Sequence, residues 1–113
     1  MSKVYIIQDP GSGRDFSSAV DYGSLVFLLD SSDRPSYILP PTVQKLNQFL
    51  KDFQAEDFIV WAGGDPLSPI LVGHVLSSLG HSEFRYLRWE RVRKNGYRTG
   101  QGFYVPVTVA LAS

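Results

Sequence analysis

Residues 57–80, DFIVWAGGDPLSPILVGHVLSSLG, constrain the fold of this chain more than any other stretch. They begin as an apolar run, turn at Gly63-Gly64, and continue as an apolar helical pattern behind Asp65-Pro66. A strand, a glycine turn and a capped helix start form the repeating unit of α/β domains, where the turn can face a ligand. We therefore expect an α/β fold organised around this unit.

The rest of the chain extends this prediction to a complete domain. Apolar and β-branched runs predict strands at residues 3–8, 24–30, 58–62, 83–92 and 103–111, and helical spacing predicts helices at 42–53 and after Gly64. Residues 1–113 are thus predicted to form a single compact domain of class α/β. Its mixed five-stranded sheet and two main helices follow in the order β-β-α-β-α-β-β, with a C-terminal antiparallel hairpin. Pro106 predicts that the last strand lies at a sheet edge or carries a bulge. His74 falls on the predicted apolar face of the second helix and is expected in the core.

Composition excludes several classes of function. The 113 residues are 43% hydrophobic and 19% charged, as in an ordinary globular protein, and none is cysteine. A disulfide framework, a thiol nucleophile and thiolate metal sites are therefore excluded. The apolar run at residues 4–7 is too short for a signal peptide or membrane span, so a cytoplasmic location and no membrane partner are expected. HExxH, GxSxG and Walker patterns are absent, which favours a non-enzymatic protein with no catalytic residue, cofactor or metal assigned.

One candidate binding surface is the GGDP turn. Gly63 and Gly64 would let backbone N–H groups approach a ligand at a helix start, while Asp65 would favour a sugar hydroxyl, an amine or a metal over a bare anion. Asp9 and Asp30 also follow apolar runs. If the three strands are parallel neighbours, these carboxylates gather at one sheet edge and could bind a divalent cation. A plain strand–turn–helix junction with a capped start explains the same residues.

The second candidate surface is basic. Residues 1–60 hold five Lys/Arg against eight Asp/Glu, whereas residues 61–113 hold six against three. All six of these cations lie between Arg85 and Arg98, interleaved with aromatic residues. Such a segment suits nucleic acid, because cations neutralise phosphates and aromatic faces stack on bases. The residues predicted to carry this contact are Arg88, Trp89, Arg91, Arg93, Lys94, Tyr97 and Arg98. A solvated hairpin whose charges prevent aggregation is the alternative.

The tip of this hairpin poses an electrostatic problem. Asn95-Gly96 predicts a two-residue turn, which would place Arg93 opposite Arg98. Like charges in that arrangement are destabilising. Either an anion lies between them, or the tip opens into a loop, which Gly100 and Gly102 favour.

Two resemblances add to these readings. GGDP before an apolar helix resembles the segment of tetrapyrrole methyltransferases that helps to hold S-adenosylmethionine, over four residues only. Across most of the chain, residues 5–8 (YIIQ), 64–66 (GDP), 86–90 (YLRWE) and 103–107 (FYVPV) resemble a family of small proteins encoded by tailed bacteriophages. That family has a YVVQ-like first strand, a GD-P turn and a KWDRQ-like strand. The resemblance implies viral origin and a host-cytoplasm location rather than an activity. A longer basic hairpin tip distinguishes this sequence.

Three functions therefore remain open at this point. The first is a non-enzymatic phage protein that contacts nucleic acid, or a host complex that handles nucleic acid, through the basic hairpin. The second is a nucleotide-type small-molecule binder, or a small enzyme, that uses the GGDP turn. The third is a protein-binding inhibitor of a host enzyme that uses the last strand as a pairing edge. The same edge is compatible with a homodimer.

Overall fold

A five-stranded sheet forms the centre of the computed structural model, which describes residues 2–11, 16–33 and 39–111, except for the side chains of residues 39, 93, 94 and 97–101. The order of elements confirms the predicted α/β class and the succession β-β-α-β-α-β-β, with a short 3₁₀ helix added after the first strand. The elements are β1 (Lys3–Gln8), the 3₁₀ helix (Ser17–Tyr22), β2 (Ser24–Leu29), α1 (Leu39–Leu50), β3 (Phe58–Val60), α2 (Leu67–Ser78), β4 (Glu83–Lys94) and β5 (Tyr97–Ala110).

The strands lie in the order β2-β1-β3-β4-β5. β1 is parallel to β2 and β3, and β3 is parallel to β4, whereas β5 runs antiparallel to β4. The predicted mixed sheet and C-terminal hairpin are thereby confirmed. The chain passes from β1 to β2 on one side and then returns to β3 on the other, so the direction of winding reverses between β1 and β3. In doubly wound sheets this reversal opens a crevice beyond the carboxyl ends of the strands.

Both faces of the sheet are covered, and this explains the apolar run of β1. Tyr5 and Ile7 pack with residues of α1 and α2 in one core cluster, while Val4 and Ile6 pack in the other with Ala19 of the 3₁₀ helix. A strand buried on both faces has no need of polar alternation. The helices therefore lie on one face and the 3₁₀ helix on the other.

The buried face of α2 differs from the predicted one. The prediction placed Ile70 and His74 inward, but Ile70 is 66% exposed and His74 is exposed. The reason is that α2 is apolar around much of its circumference, so spacing alone does not select a stripe. The residues that α2 buries are Ser68, Leu71, Val72, Val75 and Leu76.

Helix α1 begins earlier than predicted. Pro40 and Pro41 lie in its first turn, where a missing N–H breaks no helical hydrogen bond. The helix ends at Leu50, so Phe53 packs in the core from the turn that follows, while Phe49 is largely exposed.

The edge position of β5, which Pro106 predicted, is confirmed. The Leu111 N–H donates to the Ser82 carbonyl over 2.8 Å, so by the alternation of a strand the odd-numbered residues of this segment bond toward β4. Pro106 therefore occupies an outward position, where the N–H it lacks would have faced a new strand. The Tyr104 carbonyl accepts a hydrogen bond from the Tyr22 hydroxyl over 2.9 Å. These two features leave the middle of the edge with few backbone groups for pairing.

A buried carboxylate fastens the amino end of the sheet. Asp57 is 2% exposed, and its two oxygens accept hydrogen bonds from the Lys3 N–H and the Gln54 N–H, each over 2.8 Å. Burial, together with the negative charges of Asp57 and Asp52, raises the pKa of the Tyr5 phenol above its ordinary value. This end of the sheet thus has a structural role.

The carboxyl end is fastened by the amide of Gln8, which is fully buried. Its Nε2 donates to the carbonyl oxygens of Asp30 at 3.0 Å and Asp33 at 2.8 Å, both in the segment after β2. Its Oε1 accepts from the Asp65 N–H and the Ser68 hydroxyl, both at 2.9 Å, at the start of α2. One side chain on β1 therefore joins the loops that follow β2 and β3.

We predict that Gln8→Glu lowers the free energy of unfolding by about 2–4 kcal/mol, because a carboxylate keeps the acceptors but faces two carbonyl oxygens without a donor. Urea denaturation measures the change. The matched control is Gln54→Glu, since Gln54 is exposed and donates only a 3.3 Å bond to the Asp52 carbonyl. The control should stay within about 0.5 kcal/mol of wild type. Equal losses in the two variants would show that the Gln8 bonds do not hold the loops.

Candidate functional site

The crevice at the carboxyl ends of the strands contains a cavity of about 310 Å³. Its described lining comes from the segments after three strands. Asp9 and Pro10 follow β1, Ser31 follows β2, and Gly64 and Asp65 follow β3. The sequence prediction that Asp9 and Asp65 approach each other at one sheet edge agrees with this geometry, because β1, β2 and β3 are parallel neighbours. We call this cavity the strand-end pocket.

The glycine at position 64 has a structural explanation. Gly64 has a φ of 108°, and a Cβ there would collide with the Gln8 side-chain oxygen. Since that oxygen accepts the Asp65 N–H, the close approach is part of the fold. The neighbouring Gly63 is less confined, since a Cβ there would lie 3.4 Å from Pro10. Close packing against Gln8 thus accounts for the glycine that sequence reasoning assigned to a ligand.

The two carboxylates of the strand-end pocket are held by backbone donors. Asp65 Oδ1 accepts from the Leu67 N–H over 3.0 Å, which confirms its predicted role in capping α2. Asp9 Oδ1 accepts from the Gly11 N–H over 2.9 Å. Because Asp65 already places negative charge at the helix start, the pocket disfavours a phosphate there. Its polar lining suits a ligand that carries hydroxyl or ammonium donors.

The predicted cluster of three aspartates is not assembled as a metal site. Asp30 is exposed, and its carbonyl oxygen accepts from Gln8. Within residues 2–11, 16–33 and 39–111, no group of three or more His, Asp or Glu side chains is placed to hold a metal ion. His81 is half-buried, with its ring edge-on to Phe53 at 5.3 Å. The divalent-cation hypothesis therefore loses its third ligand.

The hairpin turn is confirmed at Asn95-Gly96, whose φ angles of 53° and 80° are those of a type I′ turn. Lys94 lies in register with Tyr97, and Arg93 with Arg98. The strands are thus paired up to the turn, and the alternative in which the tip opens into a loop was wrong. The ladder shifts register between Arg91 and Arg93, opposite the segment that contains Gly100.

Beyond the body of the protein, the hairpin continues as a two-stranded arm. The β3–β4 register ends at Tyr86 in the part of the chain that the structure describes. From Leu87, which pairs with Pro106, the described register joins β4 to β5 alone. We call β4 residues 87–94 and β5 residues 97–106 the hairpin arm.

The structure distributes the predicted nucleic-acid residues over different environments. Arg91 is exposed, whereas Arg88 is largely exposed and forms an ion pair with Glu90. Trp89 is half-buried, with its ring edge-on to Tyr104 at 4.9 Å. The side chains of the four remaining predicted residues lie outside the described part, and only their backbone positions are given; these residues are Arg93, Lys94, Tyr97 and Arg98.

The packing of Trp89 also explains Gly102. A Cβ at Gly102 would collide with the Trp89 ring and the Glu90 carbonyl oxygen. Arg85 likewise packs into the body, with its guanidinium 4.2 Å from the centre of the Phe58 ring. The base of the hairpin is therefore fixed by aromatic contacts.

Sequence reasoning missed Gln8 as the residue that organises the strand-end pocket. The available signal was a glutamine at the end of a fully apolar strand, directly before Asp9-Pro10-Gly11. A polar side chain at that position is buried only when its hydrogen bonds are satisfied. The partners, however, lie more than 20 residues away along the chain.

Comparison with known proteins identifies a family. Among the described residues, no helix has both the length and the apolar character needed to span a membrane. Neither the comparison with curated proteins nor that with solved structures found a match. A model of the phage Pam3 gp32-like protein family matches residues 2–108, which confirms the predicted phage family. Since this match covers nearly the whole chain, the protein belongs to the phage Pam3 gp32-like family.

Proposed function

We propose that this phage protein is a non-enzymatic nucleic-acid-binding protein of the host cytoplasm and that the hairpin arm makes the contact. The observation that carries the proposal is the register of Arg93 opposite Arg98 beside a tight turn. Two cations directly opposite each other destabilise an antiparallel pair by roughly 0.2–1 kcal/mol. A phosphate bound near both converts this repulsion into attraction.

The charge distribution supports the same conclusion. Residues 85–98 contain six basic residues and one acidic residue, a net charge of +5. The remainder contains five basic and ten acidic residues, a net charge of −5. A neutral protein with this separation presents the arm first to a polyanion, because the acidic body is repelled.

The arm also has a suitable shape. Two paired strands ending in a two-residue turn are narrow enough for a groove or for single-stranded loops. Arg91 is exposed, and the backbone positions of Arg93, Lys94 and Arg98 surround the tip. Tyr97 and Trp89 stay predictions as stacking residues, although Trp89 already packs on Tyr104.

We predict that Arg93→Gln makes the free protein more stable, by about 0.2–1 kcal/mol, but weakens nucleic-acid binding. The gain follows from removing the repulsion with Arg98, and the loss from removing a phosphate contact. Denaturation measures the first effect. Fluorescence anisotropy with labelled 20-nucleotide single strands and duplexes, over a salt series, measures the second. The dependence of log K on log salt should fall by about 0.7–0.9 per lost contact.

Lys51→Gln is the matched control, because Lys51 is exposed in the turn after α1 and outside the arm. It should leave affinity and salt dependence close to those of wild type. Absence of binding by the wild-type protein at low salt would reject a nucleic-acid ligand and leave a host protein complex as the partner. Equal losses in both variants would place the contact outside the arm.

A second candidate function rests on the strand-end pocket. It lies where doubly wound folds bind ligands, and two fixed carboxylates line it. We propose a small ligand with hydroxyl or amine donors, rather than a ligand anchored by its phosphate.

This candidate predicts that a ribonucleoside, S-adenosylmethionine or spermidine raises the melting temperature and that inorganic phosphate does not. A ligand at 100 times its Kd adds about 2.7 kcal/mol of stability. Asp65→Asn should abolish the increase, since asparagine keeps the helix cap and removes the charge. A thermal-shift assay at millimolar concentrations tests the prediction. No increase with any probe, or an equal increase with phosphate, would exclude it.

A further inference from the structure

The hairpin arm has two different faces. Tyr86 packs in the helix-side core cluster and lies opposite Val107, so the odd-numbered residues of β5 share the helix side of the sheet. Trp89 and Tyr104, which lie opposite each other, pack in the cluster on the other side. The aromatic residues of that side are therefore already engaged within the protein.

Phe103 lies on the helix side and is exposed. Its side chain is 52% accessible, whereas Tyr104 beside it is 5% accessible. Phe103 is in register with Glu90, and Val105, on the same face, is in register with Arg88. Because Glu90 forms an ion pair with Arg88, a guanidinium is held on the face that presents the Phe103 ring. Val107 continues this face and is 37% exposed.

We propose that the hairpin arm selects single-stranded nucleic acid and that Phe103 is the residue on which a base stacks. An exposed aromatic ring on an uncovered strand offers a flat apolar surface, and every base has a complementary face. The cations of the arm supply the charge complementarity that a strand of phosphates needs. In a duplex the bases are already stacked, so the Phe103 face gains little from it. This inference rests on the proposed function of the arm.

The nearby charges limit the mode of contact. Glu90 would repel a phosphate placed directly over Phe103, whereas it does not prevent a base from stacking there. Arg88 beside it can contact the phosphate that follows the stacked base, with its guanidinium held by the ion pair. The arrangement thus favours a base on the ring and the backbone along the arginines.

The test compares Phe103→Leu with wild type for binding to labelled oligo-dT, oligo-U and a duplex of the same length, over a salt series. Loss of one stacked base is worth about 1–3 kcal/mol, which converts to a decrease of about 5- to 150-fold. We expect that decrease for both single strands, no change for the duplex, and an unchanged salt dependence, since no phosphate contact is lost. Phe103→Trp should retain the affinity. Phe49→Leu, at an exposed phenylalanine of α1, is the control and should bind as wild type does.

The outcomes separate this inference from the proposed function. If Phe103→Leu binds single strands as tightly as wild type while Arg93→Gln is weakened, Phe103 is not the stacking residue although the arm binds nucleic acid. If wild type binds the duplex as tightly as the single strands, the single-strand selectivity is rejected. If wild type binds none of the three probes, the proposed function fails and this inference with it.

Discussion

The buried amide of Gln8 is the interaction on which the carboxyl end of this sheet depends. It uses both of its donors and both acceptor positions, toward the loop after β2 on one side and the start of α2 on the other. A leucine of similar size would bury well but would leave two carbonyls, an N–H and a hydroxyl without these bonds. The glycine at position 64 follows from this arrangement, because a side chain there would displace the amide.

This interaction changes the meaning of the GGDP turn. Gly64 is explained by packing against Gln8, Asp65 by capping α2, and Pro66 by its place at the entry to the helix. No comparable explanation exists for Arg93 opposite Arg98, because their repulsion gives the fold nothing. Features without a structural reason are better candidates for function than features with one. The same reasoning separates Phe103, which is exposed, from Trp89, which the body uses.

Local patterns in the sequence predicted the elements well but not their pairings. Residues 3–8 and the turn at Asn95-Gly96 were placed correctly, because β-branched runs and glycine turns act over a few residues. The strand order and the bonds of Gln8 join segments more than 20 residues apart, which no local pattern encodes. The inward face of α2 was misjudged at His74, because Ser68, a polar residue, takes the core position beside Gln8. Phe103 was read as one member of an alternating strand, and its exposure follows only from where α1 and α2 lie.

The central claim is that ligand contact occurs on the hairpin arm and not at the strand-end pocket. Amide chemical shifts recorded by NMR during titration with a single-stranded 12-nucleotide probe test it directly. The account predicts shift changes at Arg91, at residues 93–98 and at Phe103, while the amides of Gly11 and Leu67, which donate to the pocket carboxylates, keep their positions. Changes concentrated at Gly11, Gly64 and Leu67, with the arm unaffected, would contradict it.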